Sequence, residues 1–315
     1  MVGDAHPKHI RLGIGDDAAA WQPSRSHRSI ITTDMLVEDV HFSRATMSLH
    51  DAGWRAMAAN ASDLAAMGAR AVLATVALGL PADVRIADIT ELYGGLVDCA
   101  REVGIAIVGG DLSRAPTITI SISAVGEVRA DNLKTRSGAR VNDVLAVTGP
   151  LGASRAGLLC ALGRATLNPH DESDALAAHR TPHARMREGA WLGASRNVRA
   201  MMDCSDGLAT DLSRLCAASG VGALLDAVPI AASARAMAEG IGEDPTAFAL
   251  AGGEDFELLA AIERRAFSHL AARFAARFGR SLYRIGMLCK GSTVALRKGE
   301  SEEPLARTGW EHFNA

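Results

Sequence analysis

Residues 86–125 read IADITELYGGLVDCAREVGIAIVGGDLSRAPTITISISAV, and three kinds of patterning follow one another along them. Ile89, Leu92, Leu96 and Val97 recur at helical spacing, and Gly104 stands where a helix end favours a residue free to adopt positive φ. Residues 105–108 form a short apolar run that closes on Gly109-Gly110-Asp111. In 117–125 the hydroxyl residues Thr117, Thr119, Ser121 and Ser123 alternate with Ile118, Ile120 and Ile122. That period of two marks a strand buried on one face. A helix, a buried strand and a half-buried strand in so short a span predict a mixed fold.

The same patterns recur on both sides. Strands are predicted at 29–33, 72–80, 144–147, 200–203, 223–225, 256–262 and 293–297. One helix, capped by Asp51, runs through Trp54, Met57, Ala61, Leu64 and Ala65 to Gly68. Another opens at Ser205 or Asp206 and carries Leu208, Leu212 and Leu215 to Gly220. A third covers 267–278 and stops at Gly279. Strands and helices alternate without a strict βαβ rhythm, so the class is α+β. The polar, aperiodic stretch RADNLKTRSGARVND (129–143) falls between two strands and reads as a boundary between domains. The 315 residues are enough for two of them.

Composition narrows the function. Apolar residues make up 48% and charged ones 22%, which is ordinary for a soluble protein with a sizeable core. A net charge of −3 offers no polyanion-binding signature, and aromatics at 4% give no platform for stacked bases, so nucleic acid is excluded as a partner. The five cysteines are odd in number and lack C-x-x-C spacing, which excludes a disulfide framework or zinc ribbon. No window is apolar and long enough to span a bilayer, and the first ten residues lack the apolar core of a signal peptide. The expected setting is the reducing cytoplasm.

Familiar nucleotide motifs fail. Gly13, Gly15 and Ala18 fit a relaxed dinucleotide fingerprint by spacing, but Asp16 and Asp17 stand where a pyrophosphate needs bare backbone N–H groups. No Walker A sequence exists. What remains is a set of acids that close apolar runs beside small residues: Asp16-Asp17, Thr32-Thr33-Asp34, Asp63, Asp111, Asp203 with Asp206, and Glu254-Asp255. One such acid can be an ordinary turn residue. A whole series of them points to carboxylates converging on one crevice. Two unit charges ~4 Å apart repel by roughly 4 kcal/mol at an effective dielectric of 20, so convergence calls for cations. Magnesium suits hard oxygen ligands and substrate phosphates. The residues thus predict metal-dependent handling of a nucleoside polyphosphate without a P-loop.

In this order the motifs resemble those of the thiamine-monophosphate kinases, a family of the aminoimidazole ribonucleotide synthetase superfamily. The matching stretches are LGIGDDA (12–18), TTDMLVEDVHF (32–42), NASDLAAMGA (60–69), GGDLSR (109–114), TRSGA (135–139), TGPLGASRAG (148–157), DCSDGLATDL (203–212) and ALAGGEDFEL (249–258). The resemblance implies a two-domain α+β fold. Residues 1–135 would bind ATP and metal and pair with a second copy in a homodimer, and residues 136–315 would complete the cleft. It implies phosphorylation of thiamine monophosphate to thiamine pyrophosphate by direct in-line transfer from ATP, assisted by several Mg²⁺ ions. Asp17, Thr32, Thr33, Asp34, Asp63, Asp111, Asp203 and Asp206 match metal positions. Gly110, Asp111, Arg136 and Ser205 match ATP contacts, and His41, Glu254 and Trp310 match positions lining the acceptor site.

The sequence departs from that pattern at Asp39, where the family usually has Gly, and at Leu112-Ser113, where Thr-Thr is common. Two other readings stay open on the residues alone: a related ATP-dependent enzyme with another phosphorylated acceptor, and a non-catalytic nucleotide-binding paralogue. The intact acid set speaks against the second. If Trp310 stacks on the cationic thiazolium, the contact contributes ~0.5–2 kcal/mol. Being remote from the transferred group, it stabilises ground and transition states alike. Trp310→Ala is then expected to raise the KM for thiamine monophosphate about 2- to 30-fold in steady-state assays, with kcat and the KM for ATP little changed.

Overall fold

The computed structural model describes residues 9–14 and 18–305; of the predicted site residues, Asp17 and Trp310 lie outside them. The N-terminal half begins with a small ribbon, β1 (Ile10–Leu12) against β2 (Ala20–Trp21). There follow β3 (His27–Val37), α1 (Leu49–Ala66), β4 (Arg70–Leu80), α2 (Ile86–Val103), β5 (Ala106–Arg114) and β6 (Thr119–Arg129). They build a four-stranded sheet of order β3-β6-β4-β5. β6 lies antiparallel to β3 and β4, while β4 and β5 run parallel with α2 as their crossover. The alternation read in β6 decides its faces. Ile118, Ile120, Ile122 and Ala124 are buried in one core with Ala56, Met57 and Leu64 of α1, whereas Ser123 faces outward.

The C-terminal half contains β7 (Val144–Val147), α3 (Ala153–Ala161), α4 (Pro169–Arg180), α5 (Met186–Gly193), β8 (Val198–Asp203), α6 (Leu208–Ser219) and β9 (Gly222–Leu225). It continues through α7 (Ala232–Ile241), α8 (Pro245–Ala251), β10 (Leu258–Ile262), α9 (Phe267–Phe278), β11 (Tyr283–Cys289), β12 (Val294–Lys298) and β13 (Ser301–Pro304). Its seven strands follow the order β13-β12-β9-β11-β7-β10-β8. Both faces are covered, which is why β7 and β10 read as continuous apolar runs. One core gathers Leu145, Val147, Leu212 and Leu259. The other gathers Ala146, Met201, Ala260 and Phe274 together with Ala65 and Ala66 of α1. Helix α1 therefore serves both halves.

The mixed architecture agrees with the sequence reading, and several details correct it. Ser48, not Asp51, is the N-cap of α1. The Ser48 hydroxyl accepts from the Asp51 N–H at 3.0 Å and the Asp51 carboxylate accepts from the Ser48 N–H at 3.1 Å, a reciprocal capping box. Helix α6 starts at Leu208 after Gly207 rather than at Ser205 or Asp206. β5 does not close on Gly109-Gly110-Asp111 but runs on to Arg114, because β4 pairs with it residue by residue through that stretch. Among the elements that the sequence reading did not predict, α4 and β11 escaped notice for plain physical reasons. α4 buries little besides Ala175 and His179, so it shows no apolar stripe. β11 has a register shift between Arg284 and Gly286 that breaks its alternation.

Helices α1 and α2 meet through glycine. A methyl group on Gly95 would lie 1.8 Å from the His50 carbonyl oxygen, and one on Gly53 would lie 2.1 Å from that of Leu92. Neither oxygen belongs to a flexible side chain, so the helices would have to separate. Gly95→Ala is expected to cost about 2–3 kcal/mol or more despite the better helix propensity of Ala. A denaturant titration of the variant against the parent protein measures it.

Candidate active-site cleft

A cleft of about 480 Å³ opens between the two halves, lined by Thr32 on β3, Asp63 and Met67 at the end of α1, Arg136 in the connecting loop, and Met202 and Asp203 on β8. Alternation along β3 turns Thr32 and Asp34 to the side that α1 covers. The Thr32 hydroxyl donates to the Asp63 carboxylate. One residue earlier on α1, the Ser62 hydroxyl donates to Asp203 at 2.7 Å, tying the acid at the end of β8 to the helix that carries Asp63.

These acids feel one another. Burial, then Asp63 and Asp206, push Asp34 up to about 6. Burial, then Asp63, with Asp211 and Asp34 contributing further, push Asp203 up to about 7. Burial also raises Asp63, against the Thr32 hydrogen bond and the nearby Arg136 cation. Asp206 is drawn into an ion pair with Arg214. Among the described residues no three acidic, imidazole or thiol groups stand close enough together to hold a metal ion as they are. The donor set nonetheless suits a hard divalent cation: it is all oxygen, it is partly desolvated, and Asp63 raises the proton affinity of both Asp34 and Asp203.

Other predicted residues fall elsewhere. Thr33 points to the opposite face of the sheet, where its hydroxyl donates to the Ile122 carbonyl at 2.9 Å. Gly110 and Asp111 lie on β5, the far edge of the sheet from β3. Three strand spacings separate them from Asp34, roughly 14 Å. Gly110 shares a register row with Val76, Ile122 and Asp34, while Asp111 shares one with Ala77, Ser121 and Met35, on the outward face. A side chain at Gly110 is impossible, since its Cβ would lie 1.8 Å from the Val76 carbonyl oxygen. Within one chain, Asp111 therefore stays apart from the acids of the cleft.

His41 follows β3 in a tight loop. Its Nδ1 accepts from the Val37 N–H at 3.0 Å, which leaves the proton on Nε2. Glu38 clamps the loop by accepting from Arg44 at 2.7 Å and from the Ile118 N–H at 3.1 Å. Asp39 has φ 65, a left-handed conformation that glycine adopts more easily. The departure from the family pattern at this position thus carries a backbone cost.

Ser205 and Glu254 meet because their loops zip together. The Glu254 N–H donates to the Ser205 carbonyl at 2.7 Å, Phe256 to Cys204 at 3.0 Å, and Cys204 to Glu257 at 2.7 Å. Asp255 turns the other way and accepts from the Gly152 N–H at the start of α3, at 2.8 Å. Sequence reasoning missed three charged residues here. Arg55 is buried on α1 and pairs with Glu254; with Asp51 and Asp63 on the same helix, a charge there gave no sign of burial. Asp211 is buried beneath Asp206, and burial followed by Asp206 raises it to about 7. Glu257 is held by Arg185 at 2.7 Å and Arg280 at 2.8 Å. An acid in a first helical turn and one after a glycine-rich loop gave no sign of burial.

The family model for AIR synthase related protein, N-terminal domain, matches residues 15–128, and that for AIR synthase related protein, C-terminal domain, matches residues 140–297. The thiamine-monophosphate kinase of Synechococcus elongatus is 37% identical over 305 residues, spanning 95% of this chain and 91% of the relative. Among solved structures, thiamine-monophosphate kinase from Stenotrophomonas maltophilia superposes with a TM-score of 0.83 at 34% identity, over 92% of this chain and 91% of that one. AaThiL complexed with AMPPCP and TMP superposes at 0.80 with 30% identity, over 93% and 89% of the two chains.

One buried group beside the cleft predicts a pH effect. His179 on α4 is held down to about 3 by burial, then by the Arg55 and Arg180 cations. Its ordinary value is 6.5, so the stability it contributes is complete above that pH and is lost as pH falls towards 3. His179→Gln keeps an acceptor for Arg55 but cannot titrate. The variant should gain on the parent by up to ~1.4 kcal/mol per pH unit as pH falls from 6.5 to 4. Urea unfolding at several pH values gives that difference.

Proposed function

The chain belongs to the thiamine-monophosphate kinase family of AIR synthase related proteins, and on that ground we propose that it transfers the γ-phosphoryl group of ATP to thiamine monophosphate, giving ADP and thiamine pyrophosphate. The observation that carries the proposal is the cleft in which Thr32, Asp63, Asp203 and Arg136 face one space of about 480 Å³. AaThiL, which shares the fold, was solved with AMPPCP and TMP together.

The acceptor is itself a phosphate, and its oxygen is already anionic. It attacks the γ-phosphorus as the bond to the β-phosphate oxygen breaks, so no strong base is needed and positioning dominates the rate. Arg136 offers a planar fork to the phosphates of ATP, with Ser205 and Gly110 as further nucleotide contacts. His41, with its proton on Nε2, donates to the acceptor's phosphate, and Glu254 accepts from an amine of the acceptor. Asp34, Asp63, Asp203 and Asp206 would hold magnesium, with Thr32 beside them and Asp17, Thr33 and Asp111 completing the set; the ions would neutralise the polyphosphate and the charge developing in transfer.

The homodimer belongs to the same proposal. The outward face of the β3-β6-β4-β5 sheet exposes Ile31 (70%) and Met35 (54%) among small residues, and no described helix covers it. Its edge strands β3 and β5 are both long, and their outer edges have no strand partner among the described residues, a hazard unless covered. A second copy packed on this face would set β5 of one chain beside β3 of the other. Asp111 and Gly110 would then serve the other chain's cleft, which reconciles their distance from Asp34. A cytoplasmic setting fits the free cysteines and the lack, among the described residues, of a helix able to cross a membrane.

Incubation with ATP, Mg²⁺ and thiamine monophosphate is expected to yield thiamine pyrophosphate, identified by mass; folded, Mg²⁺-loaded protein that forms none refutes the acceptor. In the same preparation Mg²⁺ and AMPPCP together should raise the Tm well beyond either alone. Asp63→Asn should remove most of that synergy while leaving the metal-free fold at least as stable, since a like-charge repulsion disappears.

A further inference from the structure

Arg55 is the largest of the fully buried side chains, 2% exposed in the middle of α1, and the transfer described above makes no use of it. Its Nη1 donates to the carbonyl oxygen of His179 and, at 3.0 Å, to the Nδ1 of the same residue. Its Nη2 donates to Oε2 of Glu254. Its Nε is buried with no hydrogen-bond partner among the described residues. The His179 ring is uncharged, so Glu254 is the anion in contact with this cation. A buried guanidinium with one donor unmade is an expensive way to fill space, because an apolar side chain of similar volume would serve packing as well or better.

What the arrangement secures is the geometry of Glu254. That residue has φ 61, and Phe256 two positions on has φ 49, both left-handed conformations that side chains other than glycine's rarely take. The loop holding them is pinned on one side by the Ser205 and Cys204 carbonyls and on the other by Arg55. Glu254 remains 39% exposed, and its Oε1 makes no hydrogen bond among the described residues. One carboxylate oxygen is thus held from beneath while the other faces outward. The grip spans the two halves of the molecule, since Arg55 belongs to α1 while His179 and Glu254 belong to the C-terminal half.

We propose that Arg55 is a positioning residue for the acceptor: it orients Glu254 so that the outer oxygen meets a hydrogen-bond donor of the substrate, an amine on a cationic heteroaromatic ring system. This rests on the reading that thiamine monophosphate is the acceptor and that Glu254 touches it. Arg55 acts through Glu254 and touches neither substrate nor reacting atoms. Its effect should fall on acceptor binding and leave nucleotide binding alone.

The test uses the full chain with ATP, Mg²⁺ and thiamine monophosphate, comparing Arg55→Met, Arg55→Lys, Glu254→Gln and the double variant Arg55→Met/Glu254→Gln. Loss of a charge-assisted hydrogen bond predicts a rise in the KM for thiamine monophosphate of about ten- to a hundredfold in Arg55→Met. The KM for ATP should stay unchanged, and Arg55→Lys should recover part of the loss. The double variant should be no worse than the more impaired single variant, because both act through one contact. If folded Arg55→Met keeps the parent's KM values, or if the two effects multiply, the proposal is overturned. Should Arg55→Met fail to fold, Arg55→Lys decides by the same split between the two KM values. A rise in Glu254→Gln without one in either Arg55 variant refutes the positioning role alone. An unchanged KM in Glu254→Gln refutes the contact of Glu254 with the acceptor, and the positioning role with it.

Discussion

Asp34, Asp63 and Asp203 share a partly dehydrated cleft: burial raises all three, Asp63 makes it harder for Asp34 and Asp203 to ionise, and Asp34 adds to the effect on Asp203. Such crowding persists only where a rigid scaffold enforces it. Here the scaffold is local and specific: Thr32 is hydrogen-bonded to Asp63, and Ser62 to Asp203. Two consecutive residues of one helix thereby reach an edge strand of each sheet. The proposed magnesium chemistry is the natural discharge of that crowding, since a hard cation replaces the solvent the carboxylates have lost.

Helix α1 is the element that makes this possible. It packs its apolar side on the four-stranded sheet, contributes Ala65 and Ala66 to the core of the other half, and meets α2 through glycine at van der Waals distance. Its small residues let neighbouring backbones come close, and close approach sets how precisely Ser62 and Asp63 are placed. The same helix carries Arg55 to Glu254. A single element therefore positions groups at the proposed metal site and at the proposed acceptor site, and its displacement would disturb both.

Charge is balanced unevenly across the site. Asp63 has Arg136 nearby and Asp206 is paired with Arg214, while Asp34 and Asp203 make no ion pair among the described residues; Glu257, by contrast, has Arg185 and Arg280, which with the Thr148 hydroxyl outweigh its burial. The first group is left short of positive charge and the second is not. A carboxylate already satisfied by arginine is poorly suited to a metal; one left short is suited to it. That contrast separates the acids proposed to bind metal from the acids that brace.

The local patterns by themselves determined the mixed class, the strand faces of β6, the end of α2 at Gly104 and the acids as a recurrent motif. Each depends on residues near in sequence, through periodicity, capping or turn chemistry. Tertiary structure decided which acids meet. Asp34 and Asp63 come together because β3 and α1 share a core, whereas Asp111, equally motif-like, lies on the outward face of the far strand because β4 and β5 pair in parallel. Arg55 and Asp211 were illegible for the same reason. A charge in a helix looks solvated until the neighbours that bury it are known, and those neighbours lie more than a hundred residues away for Arg55.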